Sequence, residues 1–224
     1  SKLNQHGVQL PNQVVIDALK NLAIYILSQT DESLAEWKKI IQNSVAEIGQ
    51  LLIDLVPEFA WILEAQPKLP SLNVNQAESR LNFLFYKIIE GVANENHPVV
   101  LFVDDMQWMD NASWKNLEIL LNGKGLSNFI LLGAYWQEPS SDHHEFIENS
   151  TRLINKNLQT EQIQLQNLSQ EEIAEYLSDS FEMENLNTLI QLAYRRTGGN
   201  PFYLQKYLDS LYVQKHLEFN TGSQ

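Results

Sequence analysis

The sequence predicts an α/β protein: a short parallel sheet with a helical block before it and a smaller helical subdomain after it. Three observations predict this. Residues 13–92 carry their apolar side chains mostly at helical spacing. Two unbroken apolar runs, 99–103 and 129–135, then enclose one helical segment, the strand–helix–strand pattern of a parallel sheet. From residue 168 onward the periodic segments are helical again.

In the first block, Val14, Val15, Ala18, Leu19, Leu22, Ile26 and Leu27 share one face of a helix over 13–28. A second helix starts near Asp31 and carries Leu34, Trp37, Ile40 and Ile41. A third starts near Asn43 and carries Val45, Ile48, Leu51, Leu52 and Leu55. Pro57 ends it, since proline lacks the N–H a helix interior needs, and a short apolar turn follows through Trp61 and Leu63. Residues 66–75, with Pro67 and Pro70, read as a loop. A long helix then places Leu81, Leu84, Phe85, Ile88, Ile89 and Val92 on one face and ends at Asn94-Glu95-Asn96-His97-Pro98.

The run Val99-Val100-Leu101-Phe102-Val103 has no polar residue and is rich in β-branched side chains, so a strand covered on both faces is expected. Asp110-Asn111-Ala112-Ser113 offers a helix N-cap, and Trp114, Leu117, Ile119, Leu120 and Leu121 continue helically to Gly123. Residues 129–135 form a second strand of the same kind. Residues 162–166 (Gln-Ile-Gln-Leu-Gln) alternate as a half-exposed edge strand would. Ser169-Gln170-Glu171-Glu172 is a capping box, in which the hydroxyl and the carboxylate each satisfy a backbone donor of the other. Helices near 170–180 and 184–196 follow. Thr197-Gly198-Gly199-Asn200-Pro201 closes one helix and opens the next, with Asn200 as N-cap and Pro201 at the first helical position. The last helix carries Phe202, Leu204, Tyr207, Leu208, Leu211 and Tyr212. These patterns place an α/β core in residues 1–166, with its helical block at about 12–92, and a helical subdomain in 167–224.

Composition narrows the function classes. With 44% hydrophobic residues the chain is a folding one, not a disordered one. Fifteen Lys and Arg against 28 Asp and Glu give a formal charge of −13, which disfavours nucleic acid and anionic membrane as partners, because both are held by clustered cations. No cysteine is present, so disulfides and thiolate metal sites are excluded, in keeping with a cytoplasmic protein. No apolar run is long enough to span a bilayer. The first residues, Ser1-Lys2-Leu3-Asn4, lack both an initiator Met and a hydrophobic signal core, so the chain reads as an internal piece of a longer protein.

The chemistry-bearing residues stand at a strand end. Ligands of open α/β sheets bind outside the carboxyl ends of the strands, where Asp104 and Asp105 follow Val103. Two adjacent carboxylates there can divide labour. One holds a Mg²⁺, largely through water, and the other orients or deprotonates an attacking water. The plain alternative is that they end the strand and lead into the next helix.

Residues 98–113, Pro-Val-Val-Leu-Phe-Val-Asp-Asp-Met-Gln-Trp-Met-Asp-Asn-Ala-Ser, resemble the Walker B segment of the STAND class of P-loop ATPases. They are most similar to the AAA-like ATPase module of bacterial, often cyanobacterial, signalling proteins that also carry kinase or cyclase domains. Residues 129–135 resemble the sensor strand of that family, and Gly199-Asn200-Pro201 resembles its Gly-x-Pro motif. The three motifs occur in the family's order.

The resemblance implies a P-loop NTPase-type parallel sheet, incomplete in this chain, with a helical insertion and a C-terminal helical lid. It implies ATP and Mg²⁺ as cofactors, with Asp104 directing the magnesium and Asp105 activating the water. Gly199, Asn200 and Pro201 would bind the nucleotide, Pro201 lying near the adenine where core and lid meet. ATP or ADP, attached kinase, cyclase or other signalling domains, and a nucleotide-dependent oligomer are the implied partners. The implied function is an ATP-dependent regulatory switch, and its alternative is a non-hydrolysing interaction module that keeps the fold.

Two departures bear on that choice. No Gly-x-x-x-x-Gly-Lys-Ser/Thr occurs among the nine glycines. The resemblance places that phosphate-gripping loop, together with the first strand, upstream of Ser1. The family's sensor strand also has an Arg after the Tyr, whereas Tyr135 is followed by Trp136, which carries no charge.

Other candidates read more simply. His143 and His144, between Asp142 and Glu145, lie in a polar stretch, and adjacent residues do not converge on one ion. Trp37, Trp61, Trp108 and Trp114 hold packing positions, and Arg195 and Arg196 suit a helix C-terminus.

Overall fold

The computed structural model describes residues 11–70, 74–123, 125–136, 144–154, 159–180 and 186–217. The chain divides into two compact units, Ser1–Thr160 and Glu161–Gln224.

In the first unit, helix α1 (Gln13–Leu27) buries Val14, Val15, Leu19, Ala23 and Ile26, a helical stripe. Helix α2 (Asp31–Val45) buries Trp37, Ile41 and Val45. These residues are spaced by four, so the apolar face carries the helix past the break expected at Asn43 to Ala46, whose φ of 44° ends it. A 3₁₀ turn, Ala46–Ile48, leads into α3 (Gly49–Leu55), and a second, Pro57–Trp61, follows with Phe59 fully buried. Helix α4 (Val74–Val92) begins inside the stretch expected to be loop and buries Leu84, Phe85 and Ile88 beside α2.

The sheet comes next. Strand β1 (Val99–Val103) is joined through α5 (Asn111–Asn122) to β2 (Phe129–Gly133), and the strands are parallel with Val99 opposite Phe129 and Val103 opposite Gly133. The Asp110 carboxylate caps α5, accepting from Ser113 N at 2.9 Å and from Ser113 Oγ at 2.6 Å. Asp110 Oδ1 also accepts from Asn12 N at 3.2 Å, and Asn116 Nδ2 donates to Asn12 Oδ1 at 2.6 Å, tying the start of α1 to α5. Helix α6 (His144–Ile154) completes the unit, with Phe146 between Trp114 and Tyr135 at ring separations of 5.8 and 4.7 Å.

One expectation about the sheet is corrected. Leu101 and Val103 are buried, but Val100 is 58% and Ile130 61% exposed, with Phe102 and Leu132 exposed beside them. The helices share one core with the Leu101 and Val103 face, and the side chains of the other face are exposed. An apolar run marks a strand well, yet it does not say how many faces are covered.

The second unit contains α7 (Gln170–Ser180), α8 (Leu186–Thr197) and α9 (Pro201–Val213) around Ile173, Leu177, Leu189, Ile190, Ala193, Leu204 and Leu217. The predicted capping box is present: Glu172 Oε2 accepts from Ser169 N at 2.7 Å, and Ser169 Oγ accepts from Glu172 N at 3.1 Å. Residues 162–166 form no strand; Ile163 is 80% and Leu165 89% exposed. Alternation alone makes no strand without a paired neighbour, and no strand is described in this unit. Among the described residues no helix is long and apolar enough to cross a membrane.

Candidate functional site

Two backbone bonds strap the chain leaving β1 to the end of β2: Ala134 N donates to Val103 O and Met106 N donates to Ala134 O, both at 2.9 Å. Asp104 and Asp105 lie between these straps and are half-buried. Asp105 has φ 57° and ψ 41°, a left-handed conformation that Asp tolerates better than most residues. It turns the chain into the 3₁₀ turn Met106–Trp108, where Trp108 N donates to Asp105 O at 2.9 Å. Gly133 lets the Met106 sulfur approach; a Cβ there would lie 2.1 Å from Sδ.

The carboxylates are hydrogen-bonded in series. Asp104 Oδ1 accepts from Asp105 N at 3.0 Å, and Asp105 Oδ1 accepts from Gln107 Nε2 at 3.2 Å. Gln107 Oε1 in turn accepts from Trp136 N at 3.3 Å. All of these bonds to the acids use Oδ1, which leaves Oδ2 of each free of hydrogen bonds from described residues.

The donor set fits one kind of metal. No group of three or more His, Cys, Asp or Glu that could hold an ion exists among the described residues. Mg²⁺ is bound by one or two carboxylates, waters and substrate phosphates, so two strand-end acids suit it with a nucleotide present. A site for Zn²⁺ or Ca²⁺ built wholly of protein ligands needs more donors than this pair offers.

The other predicted site residues lie in the second unit. Gly199 is buried at φ 77°, its N donating to Thr197 Oγ1 at 3.3 Å and its O accepting from Leu168 N at 2.8 Å. Asn200 caps α9, Oδ1 accepting from Phe202 N at 3.0 Å and Tyr203 N at 3.2 Å, while Pro201 occupies the first helical position. Most polar groups of this segment are therefore committed to the fold, and Pro201 is exposed.

Among the remaining candidates, His143 and Asp142 lie outside the described residues, as do the side chains of His144 and Glu145. Arg195 and Arg196 sit exposed in the last turn of α8. Trp37 and Trp114 are buried and Trp108 half-buried as packing residues, but Trp61 is exposed, because its 3₁₀ turn buries Phe59 instead. The sequence reading assigns Gln107 no role, since only the strand register brings residue 136 beside it.

Two likenesses to known proteins each cover part of this chain. The family model of the AAA ATPase domain matches residues 1–132, which include β1, Asp104, Asp105 and Gln107 but not Gly199, Asn200 or Pro201. The hybrid signal transduction histidine kinase G of Dictyostelium discoideum is 25% identical over 111 residues, 50% of this chain and 3% of that protein. No solved structure matches the chain.

Proposed function

We propose that this chain, which belongs to the AAA ATPase domain family, is part of a STAND-type ATP-binding regulatory module whose nucleotide state controls an attached signalling domain. Family membership implies nucleotide use. The observation that carries the rest is the pair Asp104 and Asp105, held half-buried at the carboxyl end of β1. The signalling context is supported by the partial likeness to a hybrid histidine kinase.

In this reading Asp104 directs a nucleotide-bound Mg²⁺ and Asp105 orients the attacking water. Bound Mg²⁺ would supply charge stabilisation for phosphoryl transfer. The backbone bond from Asp105 N holds the Asp104 carboxylate, and the Gln107 amide holds that of Asp105. Gly199, Asn200 and Pro201 are assigned to the nucleotide's base, with Pro201 supplying apolar contact. The complete module is proposed to work in the cytoplasm and to change its oligomeric state with nucleotide.

ATP turnover by the complete protein tests this. Asp105→Asn is expected to lower kcat by about 10²–10⁴ with nucleotide still bound, while Asp104→Asn weakens Mg²⁺-dependent ATP binding. Wild-type turnover in both variants would overturn the assignment. Trp136, standing where the family has an Arg, favours a second reading, a module that binds ATP without hydrolysing it. That reading predicts ATP binding without turnover in the wild type and a gain of turnover in Trp136→Arg.

A further inference from the structure

The parallel register puts the residues after β1 beside those after β2, with Val103 opposite Gly133. Two groups that sequence separates by some thirty positions then face one side chain. Asp105 Oδ1 only accepts, the Trp136 N–H only donates, and Gln107 lies between them at 3.2 and 3.3 Å. A primary amide presents a donating NH₂ and an accepting oxygen at the same end of its chain, and this pair of neighbours admits one orientation: Nε2 toward the acid and Oε1 toward the backbone.

We propose that Gln107 is the positioning residue of this site, its amide bridging the Trp136 backbone to the Asp105 carboxylate so that the two strand ends orient the acid as one unit. The chemical consequence rests on the ATPase reading above; the bridge itself does not. Asp105 sits on a tight left-handed turn, and the backbone there fixes where its Cβ points but not the rotation of its carboxylate. Gln107 Nε2 supplies that restraint. Residue 136 acts through its N–H, so the exposed indole of Trp136 is not needed for the link, while the position of the β2 end is. A movement of that end would reach Asp105 through Gln107.

Three substitutions at 107 and its neighbours separate the parts of the bridge. Gln107→Met has similar length and no polar end, so it breaks both bonds. Gln107→Glu keeps an acceptor for Trp136 N but sets a carboxylate against Asp105. Trp136→Pro removes the N–H and leaves Gln107 intact.

In the complete protein, Gln107→Met and Gln107→Glu are expected to lower kcat for ATP by about tenfold to a hundredfold, the scale of a misplaced reacting group, with KM unchanged. Amide exchange in the chain, followed by ¹⁵N spectra, should show the Trp136 N–H exchanging faster in Gln107→Met but not in Gln107→Glu. The Gln107 side-chain amide should become mobile in Asp105→Gly, which removes the acceptor and suits the left-handed turn, and in Trp136→Pro. Wild-type kcat in Gln107→Met, a change in KM alone, or unaltered Trp136 exchange in Gln107→Met would overturn the proposal. If the wild-type protein turns over no ATP, the ATPase reading falls separately. The bridge is then decided by exchange alone: Trp136 protection lost in Gln107→Met upholds it, and protection unchanged overturns it.

Discussion

The carbonyl oxygen of Leu168 lies 1.9 Å from where a Cβ on Gly199 would sit, so no side chain fits at that position. Gly199 O also accepts from Leu168 N at 2.8 Å, and Asn167 Nδ2 donates to Gly198 O at 3.0 Å, which pins the segment before α7 to the α8–α9 turn. Gly198, at φ 60°, has nothing within 4 Å of its would-be Cβ. The two glycines should therefore fail differently. Gly198→Ala is expected to cost the left-handed penalty of about 1–2 kcal/mol, and Gly198→Asn less. Gly199→Ala pays the same penalty and must also displace backbone, so it should cost more. Amide exchange across α8 and α9 checks the order; equal protection in the two alanine variants would contradict the close approach.

Asp105 sets stability against chemistry at one residue. Its φ of 57° suits Gly best, Asn and Asp next, and Ala poorly. Denaturation should rank Asp105→Gly and Asp105→Asn near the wild type and Asp105→Ala about 1–2 kcal/mol below it. If the carboxylate acts on the water, all three lose turnover alike. An activity order that follows the stability order would assign Asp105 to the fold alone.

The capping box gives a pH dependence whose sign is fixed. Backbone and hydroxyl hydrogen bonds from Ser169 lower the Glu172 pKa below its ordinary 4.5. Its folded value thus lies under its unfolded one, so Glu172 stabilises α7 above about pH 4.5 and the contribution fades as pH falls through the folded value. The difference in melting temperature between wild type and Glu172→Ala should be present at pH 7 and shrink with acidification below 4.5. A difference that persists unchanged at pH 3 would mean that the carboxylate's charge plays no part.

What the sequence shows of this protein follows the range of each interaction. Helical faces, the Ser169 box and the Asn200 cap involve neighbours within four positions, so spacing reveals them. Which face of β1 is covered depends on helices far away in the chain, and an unbroken run such as 99–103 looks the same in either case. Residues 162–166 mislead for the same reason, as their alternation fits a strand whose partner must come from elsewhere. At the site, Asp104 and Asp105 stand out as paired acids after apolar residues. Gln107 does not, because its meaning lies in Trp136 and the register that brings them together.

The two faces of the sheet supply a matched comparison. Leu101 on β1 is 7% exposed and packs in the helical core, whereas Leu132 on β2 is 52% exposed. Truncating a buried leucine removes its contacts and leaves a cavity, so Leu101→Ala should cost about 2–5 kcal/mol. Leu132 has roughly half its surface in water already, so Leu132→Ala should cost under about 1 kcal/mol. Urea denaturation of the two variants measures the difference directly. An equal loss at Leu132 would mean that this face is covered in solution, and the comparison would then locate the covering surface on the side of Val100, Phe102 and Ile130.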